Sequence, residues 1–346
     1  MYKFIPYIFC FLSLSIIAQA QVINELSSDP IIYLTEELEP QQNHSEAKQG
    51  ISYFDAVILG IVEGTTEYLP ISSTGHLILT NELLGLNTTT PIKDASGEVV
   101  FNEKFAPLTM KSIADAYAII IQLGAILAVA ILYWESLFKM AMGLCGKNPL
   151  GLRLFINLIV SFLPAAIVGF CLHSFIEENL FGVMPIIVSL FVGAIVMIYV
   201  QYRFNKRATI ITQFRRLDNL TLRGAFTIGI LQCIAMWPGT SRSMMTIIGG
   251  YVAGLAPADS AKFSFLLGLI TLSAASIFKI YTDGEAILRA VSSGPMLIGM
   301  AVAFVSAAIS VKWFVGFLTR SGLIPFAYYR IFLALILFSL YYFGAI

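Results

Sequence analysis

Glu63-Gly-Thr-Thr-Glu67-Tyr-Leu-Pro-Ile-Ser72-Ser73-Thr74-Gly75-His76 interrupts an apolar stretch running from about residue 54 to 86, and Pro238-Gly239-Thr240-Ser241-Arg242-Ser243 interrupts a second from 224 to 255. A charged side chain near the middle of a bilayer costs roughly 2.5 to 3.5 kcal/mol on insertion scales. Glu63, Glu67 and Arg242 therefore need compensation from one another, from a metal or from a ligand. Each stretch is cut in the middle, at Pro70 and at Pro238-Gly239, into two half-length helices. Irregular backbone at membrane depth must be buried in protein or line a wet cavity, so both stretches read as re-entrant hairpins and not as spans.

Around these breaks the chain is overwhelmingly apolar. Of 346 residues, 58% are hydrophobic and 12% charged, which exceeds what an ordinary soluble domain can bury and defines an integral membrane protein. The formal net charge is zero, so no bulk basic field points to a nucleic-acid partner. Four cysteines, Cys10, Cys145, Cys171 and Cys233, lack CxxC or paired spacing, so neither a disulfide framework nor a thiolate metal site is supported.

Six further stretches are long enough to cross a bilayer: about 113–134, 155–176, 183–203, 261–281, 295–318 and 325–345. The expected fold class is all-α, a polytopic membrane protein of six transmembrane helices plus two re-entrant helical hairpins. Residues 1–20 read as a signal peptide, with Lys3, an apolar run to Ile17 and Ala18-Gln19-Ala20; an uncleaved anchor is the alternative. Residues 21–50 are polar, carry Glu36, Glu37 and Glu39, and read as a disordered exterior segment. The single membrane domain then covers 51–346. Lys139, Lys147 and Arg153 in one connection, and Arg203, Lys206, Arg207, Arg215, Arg216 and Arg223 in another, place both on the cytoplasmic side. The first hairpin then enters from outside and the second from the cytoplasm.

The two halves, about 53–203 and 224–346, resemble each other. Ala56, Gly60, Glu63, Tyr68 and Pro70 align with Ala225, Gly229, Gln232, Trp237 and Pro238, and Ser72-Ser73 then meets Thr240-Ser241. Phe162-x-x-Ala165-Ala166-Ile167 repeats as Phe304-x-x-Ala307-Ala308-Ile309. Three spans separate corresponding hairpins, so the second copy is expected to be inverted, with both polar loops meeting near the midplane.

Glu63 and Glu67 lie one helical turn apart, and two carboxylates that close in a low dielectric call for a cation or a shared proton. Oxygen ligands of this kind suit Mg²⁺ or Ca²⁺. Ser72, Ser73, Thr74 and Gly75 precede an apolar helix, where hydroxyls cap free amides and an anion is favoured. His76 follows Ser73 by three residues, within reach if both lie on the first turn, and could act as base, acid or nucleophile. In the second loop Gly239 admits close approach, Thr240, Ser241 and Ser243 offer donors, and Arg242 supplies a fork suited to phosphate oxygens. Carboxylates for a metal, a phosphate fork, hydroxyls and a histidine together suggest phosphoryl chemistry.

EGTTEYLPISSTGH and PGTSRS resemble the two signatures of the undecaprenyl-diphosphatase family, the BacA-type bacitracin-resistance proteins. Ile121-Gln122-Leu123-Gly124, Phe263-Ser264-Phe265-Leu266-Leu267 and Pro325-Phe326-Ala327-Tyr328-Tyr329-Arg330 add to the likeness, which runs from about Tyr53 to the C-terminus. The resemblance implies hydrolysis of undecaprenyl diphosphate in the bacterial plasma membrane, recycling the lipid carrier of cell-wall synthesis, with the site open to the outer face. It implies Glu63 and Glu67 for metal and catalysis, and Ser73 and His76 for the nucleophile and its proton partner. Arg242 would bind the diphosphate, and Ser72, Thr74, Gly75, Gly239, Thr240, Ser241 and Ser243 would form the cradle. Ser73, His76 and activated water all stay open as the attacking group. Met244 and Met245 depart from the small residues usual there, and bulk at that point is expected either to narrow the pocket or to alter packing. The loop 87–104 is also longer than usual. The alternative reading is a polyprenyl-phosphate transporter, since inverted repeats with broken helices are common in transporters. A GxxxG at Gly60 and Gly64 is compatible with a homodimer.

Overall fold

The computed structural model describes residues 50–92, 98–101, 107–210, 213–290, 293–344 and 346. The expected leader and the polar segment up to residue 49 lie outside them. Eleven α-helices are found among the described residues: α1 (Tyr53–Thr66), α2 (Ser73–Leu83), α3 (Met110–Leu132), α4 (Trp134–Leu144), α5 (Pro149–Leu180), α6 (Val183–Ala208), α7 (Leu222–Ile234), α8 (Arg242–Val252), α9 (Pro257–Ala290), α10 (Ser293–Ser321) and α11 (Ile324–Tyr342). Six of them contain stretches long and apolar enough to cross a membrane, at Met110–Leu132, Pro149–Leu172, Val183–Ala208, Pro257–Tyr281, Gly294–Ser321 and Ile324–Tyr342. These are the six expected spans, with their ends shifted by at most six residues.

Local chemistry sets the helix starts. Ser52 and Asp55 form a reciprocal capping box at α1, Asn148 accepts the Gly151 amide at 2.9 Å ahead of Pro149 in α5, and Thr221 accepts the Gly224 amide in α7. One difference from the sequence reading stands out. The connection after α3 is not a loop: residues 134–144 form α4, which packs on α5 at the close approach of Gly143 and Gly151. Trp134 and Phe138 lie exposed on it while Met140 is buried, so its charges share a helix with apolar side chains. The described parts of the long loop carry isolated bridges, Pro91 with Thr109 and Phe101 with Pro107, without building a strand.

Both breaks sit inside the main core. Tyr68, Leu69 and Ile71 from the first and Met244, Met245, Ile247 and Ile248 after the second pack with Ala194, Met197, Phe265, Phe314 and Ala327. Met244 and Met245, 1% and 4% exposed, are core residues, so their bulk goes into packing. Outside, Phe170, Ile195, Ile277, Ile309 and Leu335 present an exposed apolar surface, as a lipid-facing belt requires.

Helix α1 packs chiefly on α10, and α7 on α5; α6 pairs with α11, and α3 packs on α10 and, less extensively, on α9. The α1 contact uses small residues. A β-carbon at Gly60 or Gly64 would strike the α10 backbone at Gly299 or Ala303, and the Ser306 hydroxyl donates to the Gly60 carbonyl at 3.1 Å. The GxxxG face is therefore used within the chain and is not free for a second copy.

Candidate active site

Two residues, Ser72 (φ 74°) and Ser241 (φ 72°), are the non-glycine positions with positive φ among the described residues. Such a backbone costs of order 1–3 kcal/mol per residue and persists where surrounding structure enforces it. Each serine is the N-cap of an 11-residue helix, and its Oγ accepts an amide three residues ahead: Gly75 N at 3.3 Å in α2, Met244 N at 3.3 Å in α8. A glycine would suit the backbone better but could not cap. The shared geometry pairs Ser72 with Ser241, one residue off the alignment read from the sequence.

These caps bring the two strings together. The Ser243 hydroxyl donates to the Leu69 carbonyl at 2.7 Å, and Ser241 Oγ lies 3.4 Å from the same oxygen. At the centre Arg242 Nη2 meets Glu67 Oε1 at 3.2 Å, while the Ser73 hydroxyl donates to Glu67 Oε2 at 2.7 Å. Arg242 Nη1 also donates to the Ser264 carbonyl at 3.1 Å, and its guanidinium lies 5.4 Å from the centroid of the Tyr68 ring. Gly268 of α9 leaves the room this guanidinium occupies. Arg242 Nε and the Tyr68 hydroxyl are buried without a hydrogen-bond partner.

The expected contact between Ser73 and His76 is not made. His76 Nδ1 lies 2.6 Å from the Ser72 carbonyl and Nε2 lies 2.6 Å from the Tyr329 hydroxyl. A carbonyl can only accept, so in the neutral ring Nδ1 carries the hydrogen and Nε2 accepts from Tyr329. Ser73 and His76 do both lie on the first turn of the helix that starts at Ser73. The turn at Ser72 instead directs Ser73 back to Glu67. Thr74 and Gly75 sit on the first turn of α2, with Gly75 buried.

Glu63 is 2% exposed and lies against the Gln122 side chain, within electrostatic reach of Glu67 and Arg242. Ser276 continues this polar line, its hydroxyl 3.4 Å from Gln122 Oε1. Among the described residues no group of three or more His, Cys, Asp or Glu side chains gathers. A cation here would thus take at most two carboxylates, Glu63 and Glu67, with substrate oxygens and water completing the shell. That donor set fits a hard ion such as Mg²⁺, which is commonly held by one or two carboxylates plus phosphates.

Sequence reasoning did not assign a site role to Arg330. It is fully buried, and its guanidinium donates to four carbonyls: Leu190 at 3.3 Å, Ser189 at 3.0 Å, Gly239 at 3.0 Å and Thr240 at 3.1 Å. The available signal was a cation five residues into an apolar span. The Ser189 hydroxyl secures the same loop by donating to the Pro238 carbonyl at 2.7 Å.

The fold and site together define a polytopic α-helical membrane protein with a buried centre of carboxylates, hydroxyls and arginine, built from two broken helices. Residues 56–336 match the family described as bacitracin resistance protein BacA, and the chain belongs to that family. Among its relatives, the undecaprenyl-diphosphatase of Sorangium cellulosum (strain So ce56) is 40% identical over 280 residues, covering 81% of this chain and 83% of that protein. That of Clostridium tetani (strain Massachusetts / E88) is 35% identical, covering 82% and 95%. That of Bdellovibrio bacteriovorus is 37% identical, covering 85% and 98%.

Proposed function

We propose that this chain hydrolyses undecaprenyl diphosphate to undecaprenyl phosphate and inorganic phosphate, recycling the lipid carrier of peptidoglycan synthesis and so conferring bacitracin resistance. Family membership and the names of the relatives support the reaction. The observation that carries the site assignment is the convergence of Ser73 and Arg242 on the two oxygens of Glu67.

In this reading Arg242 binds phosphate oxygens with its fork, and Ser73 with Glu67 supplies an activated hydroxyl. Ser73 Oγ attacks the terminal phosphorus and its proton passes to Glu67. The bond to the bridging oxygen breaks, undecaprenyl phosphate departs, and water then releases inorganic phosphate from Ser73. Glu63 and Glu67 would hold a divalent cation, Mg²⁺ or Ca²⁺, whose chemistry is to neutralise charge on the diphosphate. Ser72, Thr74, Gly75, Gly239, Thr240, Ser241 and Ser243 shape the anion cradle, and His76 is fixed at its edge.

The two broken helices are re-entrant hairpins of an inverted repeat. Three features support this: the matching caps at Ser72 and Ser241, the equal lengths of α2 and α8, and the exchange by which α1 packs on α10 while α7 packs on α5. The positive connections lie in the cytoplasm and the site opens to the exterior. Cys145, exposed at the end of α4, tests that orientation in a background lacking the other cysteines: an impermeant thiol reagent labels it in inverted vesicles and not in intact spheroplasts.

The functional test is phosphate release from undecaprenyl diphosphate by protein purified in detergent, with and without EDTA, beside Glu67→Gln and Arg242→Ala. Metal-dependent release lost in both variants is expected. Absence of release from folded wild type with any divalent ion would refute the reading and favour transport.

A further inference from the structure

Arg330 is a buried cation whose hydrogen-bond partners are four neutral carbonyls, with no carboxylate among them. Burying a guanidinium without an opposing charge is unfavourable unless an anion shares its field. Two of the carbonyls, those of Gly239 and Thr240, belong to the loop that carries Arg242. Every described peptide bond is trans. In a trans peptide the N–H points opposite to the C=O. With the Thr240 carbonyl held on Arg330, the Ser241 N–H points to the other side of the loop, where it has no hydrogen-bond partner among the described residues. It adjoins the first amides of α8, of which Met244 N is already taken by Ser241 Oγ. The space for the guanidinium is built in: a β-carbon at Gly193 of α6 would collide with Arg330 Nη2.

We propose that Arg330 is a positioning residue for the diphosphate. It grips the loop by its carbonyls, aims the Ser241 amide and the start of α8 at the phosphate oxygens, and places a second positive charge behind the peptide bonds that bind them. Arg242 touches the anion; Arg330 acts through the backbone. This assignment rests on the proposed phosphatase site and extends it. It accounts for a cation in an apolar span that does not itself reach the substrate.

The test separates charge from stapling. Arg330→Lys keeps the charge and loses most of the fork; Arg330→Gln keeps some hydrogen bonding and loses the charge. Both are expected to lower the unfolding temperature. Corrected for folded fraction, Lys, which keeps the charge but loosens the grip on the loop, should raise KM about fivefold, and Gln, which loses the charge as well, should raise it at least fiftyfold, about 2.3 kcal/mol of binding. Equal KM values in the two variants, whether unchanged or equally raised, would overturn the proposal. Should both fail to fold, Gly193→Ala, which retains Arg330 and displaces its head, is expected to raise KM at least fivefold; an unchanged KM in that folded variant also overturns it. Inorganic pyrophosphate is measured in parallel as a stabilising ligand. Wild type that binds pyrophosphate but releases no phosphate would defeat the phosphatase reading alone. Pyrophosphate stabilising wild type and Arg330→Gln equally would defeat the role of Arg330 alone.

Discussion

Glu67 is the residue on which the site turns, because its two oxygens face different partners. One neutralises Arg242 and the other takes the Ser73 hydroxyl. Ser73→Ala and Glu67→Gln are each expected to lower kcat by roughly 10²- to 10⁴-fold, the usual scale for losing a positioned base or its hydroxyl. His76→Gln should cost only about tenfold, as its ring is committed to the Ser72 carbonyl and Tyr329. Steady-state kinetics decide this, and a His76 loss as large as that of Ser73 would return the proton to the histidine. The residue types were legible in the sequence, since carboxylates, hydroxyls and an arginine inside apolar stretches need a reason. The pairing within them was not, because it depends on one positive φ at Ser72. Arg330 escaped assignment because its partners are carbonyls, which a sequence does not display as charge partners.

Among the elements, the short helices α2 and α8 begin at strained serines that cap them. Ser241→Gly relieves the backbone and gives up the cap, worth a few tenths of a kcal/mol beside glycine, whereas Ser241→Ala loses the cap and keeps the strain. Glycine is therefore expected to leave stability unchanged or raised, and alanine to lower it by about 1 kcal/mol. Thermal unfolding in detergent checks the order, and an alanine variant more stable than the glycine one would contradict it. Gly64→Leu should open the α1–α10 contact and lower the unfolding temperature sharply, with no change in oligomeric state by size-exclusion chromatography. The long helices were legible because eighteen or more apolar residues have few alternatives. Helix α4 was hidden because Lys139, Lys147 and Arg153 read as a charged connection, while the amphipathic face of residues 134–144 needs α5 to show it.

For the whole molecule, the exchange of partners between the halves sets how the chain can be divided. A cut in the connection between α6 and α7 should give two fragments that restore phosphatase activity when co-expressed, each degraded when made alone. Activity from either fragment by itself would contradict the exchanged packing. Such long-range pairing was only faintly visible in the sequence, where matched motifs suggested two copies but not which helix of one lies against which of the other.

That exchange also orders events in time. Helix α1 is made early, yet its partner α10 ends at Ser321. At ordinary elongation rates of about 5 to 20 residues per second, the interval is roughly ten to fifty seconds. Throughout it, Glu63 and Glu67 are already synthesised while the surface that shields α1 does not yet exist. A nascent chain of this kind must keep its first hairpin at the wet margin of the membrane or in the care of the insertion machinery, so biogenesis, and not only catalysis, is constrained by where two glycines sit.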